Sequence, residues 1–541
     1  MTDSYWTRRR LSRRRFLAGA GFAAGTAALW LAGCREGPEA LPSTPGTADV
    51  RGGTLRLSIV GDPPSFDIHQ ETTITALQPL TPAYNGLVTY DEQKPEEIVG
   101  DLAETFEVAD NGLRYIFRLR PNIKWHDSSD FTAEDAAYNI RRMASPPQGV
   151  VSARKEQFAV LDRVETPDQR TVVLVFREPY SSFLAQFATD WFLMFPPRII
   201  EAKGHMKQDV MGTGPFRLQN WTPGSSIDLV RNEQYFKAGL PKADALQTLI
   251  IADSNTRFEA LRAGRINMTG RIFAVLTPSQ ARLLQGSDEV KVAEAPGLGS
   301  PWYLFNAVRG PFADPRVRRA VWIAFDRQAA IQVLEEGYGS LGTFLPPGLW
   351  EYPRDQRDRM PGYRSRQEDL AEARRLLQAA GYSSGFPVKV FVRDVVRQAG
   401  ELMAQQLALL GLQPQIQVFE TARQAEVRQR KEFDIEVLQN VYRINDPDEL
   451  ARKVITDAAQ NDGGYSNPQV DQLFAAQRRE LNQQRRLQLV RQLDELLMQE
   501  APQLMPYWNT VLMGYRREVV GFQVPAGQYN GNRLETLAAA R

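Results

Sequence analysis

One cysteine, Cys34, stands in a chain of 541 residues, so neither a disulfide nor a cysteine-built metal site is available to staple the fold. The three histidines, His69, His126 and His205, lie far apart, with no HExxH, no HxH and no carboxylate at metal-ligand spacing. Each reads as a surface or loop histidine, and no metal or cofactor is expected. Stability must then come from packed cores, and a chain of this length is too long for one of them.

The cysteine sits at the end of a recognisable leader. Ser12, Arg13, Arg14, Arg15, Phe16 and Leu17 read as a twin-arginine export signal, and Leu31, Ala32, Gly33 and Cys34 as the cleavage box of a lipoprotein. The apolar run between them is diluted by Gly19, Gly21 and Gly25 and is at the short end for a bilayer-spanning helix. Its Arg-rich front and small-residue exit are those of a processed signal; the competing reading is an uncleaved membrane anchor. Residues 1–33 are therefore assigned to the signal, Cys34 to lipid attachment, and residues 34–50, rich in Pro, Gly, Thr and Ala, to a tether.

Residues 1–33 hold six arginines and one aspartate, so processing takes the formal net charge from +1 to −4. No basic excess remains for nucleic acid or anionic lipid. About 490 residues are left for the folded body, enough for two or three lobes.

Helix and strand signals mix throughout that body. Residues 53–60 alternate as a strand that stops at Gly61-Asp62-Pro63-Pro64. Residues 104–119 read as a hairpin turning at Asp110-Asn111-Gly112, because Asn-Gly tolerates the positive φ angles of such a turn. Thr132 to Asp135 cap a helix whose acidic start and basic end, Arg141 and Arg142, match its dipole. Asp314-Pro315 start one long helix that Gly337 ends, and Gly264, Gly381 and Gly411 are further helix stops. Strands over 389–392, 415–419 and 433–438 lie between helices, which makes the second half α/β. Trp191 and Phe192 read as core, and Arg318, Arg319, Arg374 and Arg375 as solvated helix faces.

Catalytic signatures are thin. There is no GxSxG, Walker loop or dinucleotide fingerprint, and the Gly-x-Gly at Gly212 and Gly214 reads as a tight chain crossing. Several stretches in order do carry a likeness: Tyr84 to Val88, Trp125 with residues 131–142, and Gly212 to Phe216 with Arg231, Asn232 and Tyr235. It continues through Phe305-Asn306, residues 312–326, residues 373–382 and residues 467–473. With them the chain resembles the extracellular solute-binding proteins of family 5, the dipeptide and oligopeptide-binding type that serves ABC importers.

That resemblance implies an α/β fold of the type II periplasmic-binding-protein kind, two hinged lobes with a third added. Lobe I would hold residues 51–90, 211–298 and 505–541, lobe II residues 91–210 and lobe III residues 299–504, with hinges near 298 and 505. It implies a monomer, not an enzyme, that captures a peptide-like or other small solute between lobes I and III and passes it to an ABC permease and its ATPase, outside the cytoplasmic membrane and held there by the lipid. Two alternatives stay open: a secreted hydrolase using a carboxylate pair, and a binding or sensing lipoprotein without its own importer.

Ligands of open α/β sheets lie beyond the carboxyl ends of strands, which points to the loop after 433–438, with Asn440, Tyr442, Arg443 and Asp446, and across from it the loop 62–67 with Phe66. Trp302 supplies flat apolar surface with a polar edge; the bland alternatives are core packing for Trp302 and a turn before Pro447 for Asp446. In the peptide-binding relatives an Asp three residues before the acidic-Pro pair grips the ligand's α-amino group. Here that position is Arg443, so the resemblance implies a site that rejects a peptide amino terminus and favours a neutral or anionic ligand, unless Arg443 faces solvent.

Overall fold

The computed structural model describes residues 50–270, 274–525, 527 and 529–540. Arg13, Arg14 and Cys34 lie outside them. Among the described residues no helix is long and apolar enough to cross a membrane.

Three main sheets organise the chain. In the first, Thr54–Ile59 runs parallel to Ala245–Ile250, which continues antiparallel to Ser226–Arg231 and then Phe216–Thr222. The second is an all-antiparallel meander-like sheet in the order Ala103–Ala109, Arg114–Leu119, Thr171–Phe176, Leu161–Asp168. Its hairpin turn holds Asp110, Asn111 and Gly112 at positive φ, as the Asn-Gly step requires. The third places Pro387–Val392 parallel to both Gln413–Val418 and Ile435–Val441, with Gly299–Phe305 antiparallel beyond them. Parallel strands need crossover helices, and Arg397–Leu409 and Gln424–Arg430 supply them.

Caps set the helix boundaries. Thr132 and Asp135 form a reciprocal capping box on Ala133–Ala144. The single helix expected from Asp314 to Gly337 is two, Pro315–Ala324 and Arg327–Leu334, because Asp326 accepts the N–H of Ala329 and starts a new helix. Arg318 is also not solvated: it is buried and donates to the carbonyls of Phe312, Ala313 and Glu500. Long side chains can bury their stems while the guanidinium caps carbonyls, a use that helix periodicity does not mark.

Chain crossings explain two glycines. A Cβ on Gly214 would lie 2.3 Å from the carbonyl carbon of Ala83, so the tight crossing expected there is real. A Cβ on Gly297 would lie 2.1 Å from Oδ1 of Asn509. Here two connections run side by side: residues 297–298 lead from Val290–Pro296 into Gly299–Phe305, and residues 505–507 lead from Gln503–Leu504 into Trp508–Arg516. Asn509 ties them together, accepting Gly297 N–H on its carbonyl at 2.7 Å and Gly299 N–H on Oδ1 at 2.9 Å. Trp508–Arg516 pairs with Val290–Pro296 and, at its start, with Gly339–Ser340.

Candidate functional site

Strand Ile435–Val441 delivers the chain into residues 442–447, and helix Asp448–Val454 follows at once. Tyr442 is fully buried, with its hydroxyl donating to the Phe344 carbonyl at 3.1 Å and its ring edge-on to Trp508. Asn440 is buried beside Met505, its Nδ2 3.6 Å from the sulfur. Asp446 receives both arms of Arg486, each at 2.8 Å, and also accepts the N–H of Asp448. Both of its oxygens thus hold the turn before the helix.

Arg443 lies at the edge of this buried turn, with a fifth of its side chain exposed. Its Nε donates to Glu449 at 2.9 Å and its Nη2 lies 2.8 Å from the same oxygen. Burial by itself would raise the Glu449 pKa, but Arg443 and Lys453 hold it below the usual carboxylate value. Lys453, one helical turn after Glu449, is buried with its ammonium 5.6 Å from the Trp302 ring centre and 5.2 Å from that of Tyr442. Burial pulls its pKa down to about 8, against the opposing pull of Glu449. Trp302 is buried too, and among the described residues its indole N–H has no hydrogen-bond partner.

A second wall comes from distant segments. Arg154 is buried with its guanidinium 4.2 Å from the Trp191 ring centre, and it donates to the Glu71 carbonyl. Trp191 packs on Tyr529 at 5.5 Å between ring centres. Burial first, then Arg443 and Arg452, pull the Arg154 pKa down, which places these cations in one field. The side-chain amide of Gln157, oriented to satisfy its neighbours, accepts from Nη1 of Arg443 at 3.1 Å, and Arg452 pairs with Glu156 at 3.4 Å.

The two walls also touch at a flank. Ser181 N–H donates to the Arg478 carbonyl at 2.8 Å, Ser182 to Asp448, and Arg479 pairs with Glu178.

Phe66 is buried and meets Trp221 edge-on at 4.8 Å. Its neighbour Asp67 is locked to Arg142, which also reaches Nδ1 of His69, while Nε2 of that ring meets the Leu193 carbonyl at 2.8 Å. His69 is therefore a core group and not a surface one, and His126 is half-buried against the Gly214 carbonyl. Arg443, Trp302 and Tyr442 are brought together. Arg154, Trp191, Lys453 and Tyr529 join them from positions that the sequence reading left as core or did not single out.

A family model described as bacterial extracellular solute-binding proteins, family 5 Middle, matches residues 97–462. The glutathione-binding protein GsiB of Pectobacterium atrosepticum is 26% identical over 456 residues, covering 82% of this chain and 86% of its own. Among solved structures, DppA from Helicobacter pylori, an ABC transporter-associated periplasmic binding protein in complex with the peptide STSA, superposes with TM-score 0.75 at 22% identity, over 91% of this chain and 99% of its own. AgaA from A. tumefaciens R10, in complex with agropinic acid, gives TM-score 0.75 at 22% identity over 90% and 99%.

Proposed function

Since the chain belongs to the bacterial extracellular solute-binding proteins of family 5, we propose that it is the receptor of an ABC importer, capturing a small peptide-like solute between two walls and delivering it to the permease and its ATPase. The observation that carries this reading is that Arg443, beside Tyr442 and Lys453, reaches Gln157, three residues from Arg154, while Arg452 pairs with Glu156, joining segments hundreds of residues apart. Relatives on the same fold hold a peptide in one case and agropinic acid in another, and a curated relative is named for glutathione, so a peptide-like or other small solute suits the scaffold.

Nothing in this reading needs a reactive group. A solute touched by both walls favours the closed arrangement by its differential affinity, and the parallel connections at 297–298 and 505–507 suit a hinge. On this proposal lobe I comprises residues 51–90, 211–298 and 505–541, lobe II residues 91–210 and lobe III residues 299–504. Unfolding the purified protein should release a stoichiometric small molecule identifiable by mass spectrometry, and that molecule should rebind to the refolded protein by calorimetry. Absence of any such molecule, together with no heat on titrating di- to pentapeptides, would count against the receptor.

Export and anchoring belong to the same proposal. Cys34 following Leu31-Ala32-Gly33, and Arg13-Arg14 ahead of an apolar run, support a twin-arginine-exported lipoprotein. Cys34→Ala should move the protein from the membrane fraction to the soluble one with its melting unchanged. Retention in the membrane would assign anchoring to the apolar segment.

A further inference from the structure

The facing walls carry an imbalance of charge and of hydrogen-bonding groups. Four cations gather where the walls meet: Arg443 reaches Gln157, three residues from Arg154, at 3.1 Å, Arg452 pairs with Glu156, and Lys453 follows on the same helix as Arg452; the carboxylates beside them are Glu449 and Glu156. Asp190, next to Trp191, accepts from the backbone and side-chain amides of Asn532 at 3.0 and 2.7 Å. Among the described residues neither Arg154 nor Lys453 has a carboxylate within ion-pair distance; Lys453 reaches only the Glu449 carbonyl, at 3.3 Å. Burying a cation without a partner is costly, and gathering several multiplies the cost through mutual repulsion.

Hydrogen-bonding groups point the same way. Among the described residues, Nε1 of Trp191, Nε1 of Trp302 and Nε of Arg154 are buried and without acceptors. All three are donors, so a molecule that satisfies them must bring acceptors.

We infer that the solute is a small anion bearing two carboxylates, gripped by Arg154 from one wall and Lys453 from the other, with Arg443 held in orientation by Glu449. The assignment rests on the receptor reading above and narrows it. Two carboxylates match the excess of two positive charges among Arg154, Arg443, Arg452, Lys453, Glu449 and Glu156. A free α-ammonium at this place meets four cations, which is the opposite of what a buried amine needs. Glu449 is the group that could mislead, but its carboxylate is engaged by Arg443 through both Nε and Nη2.

The test is calorimetry on the receptor stripped of solute, titrated with N-acetyl-Ala-Glu, which has two carboxylates and no amine, and in parallel with Ala-Ala and Ala-Lys. The acidic probe should bind at least about 10-fold tighter than the other two, the ratio expected for one charge-assisted hydrogen bond. Arg154→Met and, independently, Lys453→Met should each lower that preference by about 10-fold or more, with the far-UV spectrum of each variant confirming the fold. Ala-Ala or Ala-Lys binding as tightly as the acidic probe, or a preference that survives in whichever variant folds, would overturn the anion assignment and leave the receptor reading standing. Binding of none of the three, with no solute released on unfolding, would overturn both.

Discussion

Asp101→Ala is expected to destabilise the protein by about 3–5 kcal/mol, lowering its melting temperature by roughly 3–5 °C. The Asp101 carboxylate is completely buried, and four donors from three segments converge on it in five contacts. Asn85 Nδ2 reaches its two oxygens at 2.9 and 3.1 Å, Gly86 N–H at 3.0 Å, Lys237 Nζ at 2.8 Å and Arg533 Nη1 at 2.6 Å. Removing it leaves Arg533, itself buried, with Glu535 at 3.9 Å as its remaining carboxylate, and Lys237 already shares that group at 2.8 Å. Burial pushes the Asp101 pKa up, but Arg533 and Lys237 outweigh it and hold the group below the ordinary 3.8. Its stabilising contribution is therefore complete above pH 3.8 and is lost as pH falls through the lower folded value, so the gap between wild type and variant should close in acid. Asp130→Ala, which removes an exposed partner of Lys124, should change stability by less than about 1 kcal/mol. Equal melting temperatures for Asp101→Ala and wild type at pH 7 would show that the joint does not hold the carboxyl-terminal segment.

Arg486→Met is expected to cost a similar amount, about 3–5 kcal/mol, because it strands Asp446 in the core. Arg486 lies 5.0 Å from the Trp350 ring centre, bonds Gln477 through Nε and Nη2, and presents its fork to both Asp446 oxygens. Asp446→Asn keeps an acceptor for the Asp448 N–H while removing the charge. Combined with Arg486→Met it should therefore be less destabilising than the two single changes added together, by about 1–3 kcal/mol. Additive effects in the urea-unfolding cycle would contradict a direct pair. Were Asp446 instead a solute contact, Asp446→Asn would weaken binding and leave unfolding unchanged, the reverse of this expectation.

Local signals read well from sequence where one short-range rule decides. The capping box at Thr132, the Asn-Gly turn at residues 110–112 and the glycine stops at Gly264, Gly381 and Gly411 all need only their own neighbours. The helix over 315–334 failed because Asp326 can continue a helix or cap a new one, and packing chose the cap. The loop after Ile435–Val441 was reached by the rule for strand ends, and Arg443 with it, whereas Trp302 was singled out for its flat apolar face with a polar edge. Lys453 was invisible for a physical reason. Four residues after Glu449 on a helix, it has the spacing of a solvated surface pair, and only the approach of Trp302 and Tyr442 makes it a buried cation. Arg154 and Tyr529 lie in stretches with no periodic or motif signal, and their role depends on contacts across hundreds of residues.

Solute-driven closure is the claim on which the rest depends, and small-angle X-ray scattering tests it most directly. On the proposed reading, the contacts of residues 178–182 with residues 477–479 and Asp448 belong to the closed arrangement. Protein unfolded, freed of small molecules and refolded should scatter as an open form, with a larger radius of gyration than the closed structure. Adding back the molecule recovered from it should bring the radius down to the closed value. A radius that stays at the open value when calorimetry shows the molecule bound would contradict closure around the solute.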